Sequence, residues 1–195
     1  MGDKEKPLSD LWRARRTEYS WLRSEMREYV LFWQNIQDAL GYTIATFGIQ
    51  DEKLRQKLLG VYWELNAFPE VQDMLRVLKA SGMKTAILTN GSPEMVNGAE
   101  ENAGIMNLWD ETFSVHMVKV YKPHPDIYQM VPDMFDVDAT RVCFMSSKAC
   151  DAMAAANSGF RVVWINLYNQ PPENTSGTHE GMLPTLEGLP ALMGL

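Results

Sequence analysis

Three short stretches carry side chains able to act on a small anion: Leu88-Thr89-Asn90-Gly91-Ser92-Pro93, Val120-Tyr121-Lys122-Pro123, and Phe144-Met145-Ser146-Ser147-Lys148-Ala149-Cys150-Asp151-Ala152. Each follows or ends an apolar run of β type, and an open α/β sheet gathers its ligand groups at such strand ends. Together they offer hydroxyls, an amide, lysines and a carboxylate. In the first stretch Ser92 suits a helix N-cap, Pro93 the first helical position and Gly91 a close backbone turn. Free N–H groups there could receive a carboxylate or phosphate, although an ordinary strand–turn–helix junction has the same spelling. Lys122 could keep a neighbouring carboxylate ionised by Coulomb attraction, or it could be a surface lysine beside a proline turn. Asp151 could pair with that lysine and orient a water for hydrolysis.

The elements that must hold these groups are legible from periodicity. Residues 8 to 64 read as helical, with Tyr19, Leu22, Met26, Tyr29, Trp33, Ile36, Leu40, Ile44 and Phe47 at the three-to-four-residue spacing of a buried stripe. Gly48 breaks the run, and Asp51 caps a further helix carrying Leu54, Leu58, Val61 and Leu65. From Phe68 the pattern changes to short alternating elements. Helices are expected over 71–78, from 92 to about 103, and over 126–135, 151–158 and 186–193. Strands are expected over 84–89, 142–145 and 162–165, with weaker candidates over 112–115 and 119–121. Residues 168–181 read as loop. The fold class that follows is α/β, a Rossmann-like parallel sheet, with a helical subdomain over 8–67 and the core over 68–195.

Composition narrows the function classes. A chain of 195 residues with 46% hydrophobic residues suits one α/β domain with a modest appendage. The net charge of −7 leaves no basic stripe to neutralise phosphates, so no nucleic-acid partner is expected. The arginines at 13, 15, 16, 23 and 27 interleave with Glu18, Glu25 and Glu28 and read as a solvated helix face. Two cysteines, Cys143 and Cys150, are too few and wrongly spaced for a zinc site or a redox pair. Met1–Pro7 is charged and lacks the core of a signal peptide, and no window could span a bilayer. Asn174-Thr175-Ser176 has a glycosylation spelling that reads as a polar loop. A cytoplasmic protein without a membrane partner is the expectation, and the aromatic-rich helices offer a homodimer face.

In their order these motifs resemble the haloacid dehalogenase superfamily, most closely its L-2-haloacid dehalogenase branch. The pattern LWRxRxxEYSWLRSxMxxYxxFW, from Leu11 to Trp33, is similar to that branch's helical cap, and the resemblance runs from about Leu8 to Leu195. It implies catalytic roles for Arg13, Lys122, Ser146 and Asp151. Arg13 would receive the leaving halide or contact the substrate. It implies substrate binding by Thr89 and Asn90, by Tyr128 of KPxxxxY, by Phe32 as an apolar wall, and by Lys148. The substrate would be a small 2-haloalkanoic acid, hydrolysed to a D-2-hydroxy acid through an aspartyl ester. No metal or cofactor is implied. Phosphatases of the superfamily hold Mg²⁺ with acidic residues after the strand at 142–145, whereas here Ser146 occupies the first such position. A magnesium-dependent phosphatase is therefore the third-ranked reading. Two positions depart from the branch's Ser-Ser-Asn-x-Trp-Asp: Lys148 replaces asparagine, adding charge and bulk, and Cys150 replaces tryptophan, thinning the pocket wall.

The family's first motif is an apolar strand ending in Asp-x-Tyr-Gly-Thr, in the middle of the sheet. Nothing before Leu8 resembles it, and Asp3 and Asp10 lie in charged or helix-starting sequence. Asp136-Val137-Asp138-Ala139-Thr140 has the phosphatase spelling of that motif, but helical residues precede it, so a helix–strand turn is expected there. Turnover by this chain is accordingly expected to be impaired. The alternative is a truncated or degenerate homologue that binds or dimerises without catalysis, and the coding sequence upstream of Met1 would distinguish the two.

Overall fold

The computed structural model describes residues 4–173 and 176–195. Met1–Asp3, the acidic Asp3 included, and Asn174-Thr175 of the glycosylation spelling lie outside the described residues. Contacts divide the chain into two compact units that it enters alternately. One comprises Met1–Asn66, Asn90–Met106 and Ser114–Tyr121; the other comprises Ala67–Thr89, Asn107–Phe113 and Lys122–Leu195. The first unit thus takes two segments from within the stretch whose pattern reads as sheet core.

In the first unit, helices α1 (Glu5–Glu25), α2 (Phe32–Thr46) and α3 (Glu52–Gly60) pack with α5 (Pro93–Ala103). Trp12, Ile36, Ala39, Leu40, Leu59 and Met95 form its buried core, and the Trp12 indole N–H donates to the Ile36 carbonyl at 3.0 Å. Asn35, with no exposed surface, pins α1 to α2. Its amide donates to the Arg16 carbonyl at 2.8 Å and to Ser20 Oγ at 2.7 Å, while its oxygen accepts from Arg23 at 2.7 Å. The second Arg23 nitrogen reaches Asp38 at 2.6 Å. A buried amide with every group matched specifies a register because any slip would orphan it. Asp51 caps α3 as expected, accepting from the Leu54 N–H at 3.0 Å, and Gly48 takes a left-handed φ of 65°.

The apolar stripe that reads as one helix from Tyr19 to Phe47 is broken at Met26–Leu31, where Arg27 turns left-handed at φ 58°. The cause is distant in sequence. Tyr121 donates its backbone N–H to Ser24 Oγ at 2.8 Å and its hydroxyl to the Val30 carbonyl at 2.5 Å, holding both sides of the turn. No glycine or proline marks that break. The strand expected over 119–121 is likewise absent; Lys119 adopts φ 59° and Tyr121 is spent on these contacts.

The second unit carries α4 (Val71–Ala80), β1 (Ala86–Thr89), β2 (Glu111–Ser114), α6 (Pro125–Phe135), β3 (Cys143–Ser146), α7 (Ala149–Asn157), β4 (Arg161–Ile165), β5 (Gly181–Leu183) and α8 (Leu189–Leu192). Helix α4 buries Val71, Met74, Leu75 and Leu78, the one-faced spacing of a surface helix. Strands β3, β4 and β5 run parallel, Met145 opposite Val163 and Val163 opposite Gly181. β5 falls partly in the stretch that reads as loop. Three residues beside a proline carry no alternation, and pairing with β4 alone makes them a strand. Among the described residues β1 pairs only with β2, so the sheet lies in two pieces. Among the described residues no strand occupies the second edge of β1 or of β3. All four residues of each are only half-buried, whereas β4, paired on both sides, buries Val162–Ile165. These are the edges between which the resemblance places a central strand. Strands from both pieces pack on one core, with Ala86, Leu88 and Phe144 against Phe113, Tyr128, Phe160 and Trp164. Asp136 sits at the end of α6 in a left-handed turn at φ 52°, as expected of a helix–strand connection.

Candidate active site

Strand β3 delivers Ser146 at its C-terminal end, and the chain turns directly into α7, whose first turn carries Asp151. Lys122 lies just before α6, and Tyr128 lies within it on the buried face. These four side chains converge on one carboxylate. Asp151 Oδ1 accepts from the Tyr128 hydroxyl at 2.6 Å; Oδ2 accepts from Lys122 Nζ at 3.1 Å and from Ser146 Oγ at 2.9 Å. The Lys122 and Asp151 side chains are only 13% and 14% exposed. The Lys148 backbone N–H donates to Ser146 Oγ at 3.2 Å, fixing the hydroxyl that serves the carboxylate.

Burial shapes the electrostatics. Desolvation pulls the Lys122 ammonium below the ordinary lysine range, opposed by the charge and hydrogen bond of Asp151. Desolvation, then the adjacent Asp151 charge, pushes the Tyr128 hydroxyl well above the ordinary tyrosine range, so it remains a proton donor. Cys150 is exposed as a residue, yet local desolvation of its thiol, with the Glu173 charge adding to the shift, raises that thiol, so a thiolate is disfavoured there. The arrangement can present a cation and hydrogen-bond donors to an anionic substrate. Asp151 itself, with both oxygens engaged by three donors, is seated to hold Lys122 and is a poor nucleophile.

The remaining residues fall as follows. Thr89 closes β1 in the same unit, half-buried, while Asn90 starts the segment that belongs to the first unit. Ser92 stands at the N-cap of α5 with Pro93 behind it, but its side chain makes no cap bond to the helix. It instead hydrogen-bonds Glu94, whose carboxyl is lowered first by the Glu94 backbone N–H and then by this bond. Arg13 is exposed on α1 of the first unit, its carbonyl accepting from Thr17 at 3.0 Å. Phe32 opens α2 in that unit, 5.9 Å from the Tyr121 ring, with the Arg16 guanidinium 5.8 Å over its own ring. Lys148 and Cys150 are exposed residues at the start of α7.

One contact escapes a motif reading: the Phe144 ring centroid lies 4.9 Å from Lys122 Nζ. Strand alternation would have given the signal, because Phe144 and Ser146 share a face of β3. Among the described residues no group of three or more His, Cys, Asp or Glu side chains could hold a metal ion, and no helix is long and apolar enough to cross a membrane.

Comparison with known proteins places the chain among hydrolases of one family. The haloacid dehalogenase-like hydrolase family matches residues 4–159. (S)-2-haloacid dehalogenase 1 of Pseudomonas sp. strain CBS-3 is 40% identical over 194 residues, covering 99% of this chain and 86% of that protein. (S)-2-haloacid dehalogenase 4A of Burkholderia cepacia is 40% identical, covering 89% of this chain and 75% of its own. The solved L-2-haloacid dehalogenase of Xanthobacter autotrophicus with chloropropionic acid covalently bound superposes with a TM-score of 0.90 at 30% identity, covering 99% of this chain and 88% of that one.

Proposed function

Since the chain belongs to the haloacid dehalogenase-like hydrolases, we propose that it serves hydrolytic dehalogenation of small (S)-2-haloalkanoic acids, with the Lys122–Tyr128–Ser146–Asp151 cluster as the fixed part of its site. The observation that carries this reading is the seat built around Asp151, three donors within 3.1 Å at the C-terminal end of a parallel strand. In the reaction a carboxylate oxygen displaces halide from C2, and the halide leaves with the bonding pair. Water then cleaves the resulting ester, giving the (R)-2-hydroxy acid, halide and a proton. Lys122 would neutralise that carboxylate and, with Asp151, orient the water. Thr89 and Asn90 would hold the substrate carboxylate, Arg13 the departing halide, and Phe32 the substrate's apolar side. Lys148 would add positive charge at the end of β3.

A second reading, binding without turnover, is favoured by one observation. Among the described residues no strand ends in an aspartate, and Asp151 is already engaged. Chloride release from (S)-2-chloropropanoate with formation of (R)-lactate, abolished in Lys122→Met, is the test. Calorimetric binding of (R)-lactate without chloride release would support the second reading instead. We further propose that the protein works in the cytoplasm as a homodimer through the first unit, where Trp21, Leu22, Met26 and Leu31 are exposed on or just after α1. Sedimentation of a Trp21→Glu, Leu22→Glu variant as a monomer while the parent sediments as a dimer would bear this out; a monomeric parent would refute it.

A further inference from the structure

The Lys122 ammonium is held by more than its carboxylate. Its Nζ stands 4.9 Å from the centroid of the Phe144 ring and 5.8 Å from that of Tyr128, over the face of each. The two rings meet edge to face at 6.0 Å, so each fixes the tilt of the other. Phe144 is further packed against Phe160, centroids 6.2 Å apart, within the core cluster that Tyr128 shares. A lysine drawn out of water loses hydration, and the Asp151 carboxylate restores attraction from one direction. The negative face of an aromatic ring supplies attraction on another side without a second anion, and it is strongest where the cation is desolvated. The seat also restricts a flexible four-carbon side chain, whose point charge has no directional preference of its own.

We propose that Phe144 is a positioning residue for the dehalogenation site: its ring face keeps Lys122 protonated and aimed toward the C-terminal end of β3. Strand geometry makes the arrangement economical. Phe144 and Ser146 point to the same side of β3, so one strand supplies the ring for the lysine and the hydroxyl for Asp151, to which that lysine is bonded. Tyr128 could not replace the ring alone, because its hydroxyl is committed to Asp151 and it stands farther away.

This inference takes the role of Lys122 from the proposed function, so the test reads the lysine directly as well as turnover. Phenylalanine at 144 is replaced in the full chain by its mono-, di- and trifluorinated analogues. These keep nearly the same size and apolarity while progressively weakening the ring's negative face. The Lys122 titration is followed by the chemical shift of its ¹³C-labelled ε-carbon, assigned by comparison with Lys122→Arg. The expected result is a stepwise movement of the Lys122 midpoint to lower pH in the order of fluorination, with an unchanged thermal midpoint. Where chloride release is present, its alkaline limb moves with it. A Lys122 titration unmoved across the series overturns the proposal, because a merely structural ring would be indifferent to its quadrupole. A titration that moves while chloride release is absent throughout upholds the role of Phe144 toward Lys122 and defeats the dehalogenase reading instead.

Discussion

Replacing Asp151 with asparagine deletes one charge at nearly constant size and turns the oxygen that accepts from Lys122 and Ser146 into an amide donor, which makes it a sharp probe of the cluster. The two charges it separates are 3.1 Å apart on side chains 13% and 14% exposed. At an effective dielectric near 20 their attraction is on the order of 5 kcal/mol. The native carboxylate's own desolvation penalty, which the amide escapes, offsets part of that, and the asparagine carbonyl can still accept from Tyr128. Removing one partner of such a pair leaves the other charge buried, and about 3 kcal/mol of lost stability is expected, the low end for broken buried pairs. For a chain of this size that is roughly 6–12 °C in thermal midpoint. The pH dependence carries a sign. Without Asp151, Lys122 in the folded chain falls further below the ordinary lysine range. Between that lowered value and the unfolded value the unfolded chain binds more protons, so the variant's stability rises with pH there. Its deficit against the parent should therefore be largest near neutrality and narrow in alkali. Urea unfolding followed by tryptophan fluorescence at both pH values measures this. The double variant Lys122→Met, Asp151→Asn should recover part of the loss, since no charge is then stranded. A single variant within about 0.5 kcal/mol of the parent, or strict additivity in the double, would refute the claim that the pair is buried and coupled.

Tyr128→Phe removes the 2.6 Å bond to Asp151 while keeping the ring, and about 1–2 kcal/mol of stability should be lost in urea unfolding. Asn35→Ala strips three matched bonds from a fully buried position between α1 and α2; a loss of roughly 2–3 kcal/mol is expected, with faster amide exchange confined to those helices. Binding of (R)-lactate should weaken on the alkaline side as Lys122 loses its proton. Because desolvation lowers that lysine, the midpoint should lie below the ordinary lysine value, and calorimetry across pH reads it directly.

Much of this molecule was legible before any coordinates, because the signals concerned act over a few residues. The oxygen of Asp51 reaches an N–H three residues on, Gly48 turns where a left-handed φ is needed, and the short apolar run at 162–165 reads as a strand, which the structure buries as β4. The ordered motifs around Thr89, Lys122 and Ser146, each at the end of an apolar run, also revealed the family. What sequence could not supply were the contacts whose partners lie far apart in the chain. The break between α1 and α2 is held by Tyr121, more than ninety residues away, so the apolar stripe ran through it unmarked. β5 is a strand only because β4 offers it an edge. The seat of Asp151 joins residues 29, 23 and 5 positions away, and only the last of those separations is local enough to read from spacing. The rings against Lys122 are invisible to motif reading for the same reason: residue order states which groups exist, and packing decides which of them meet.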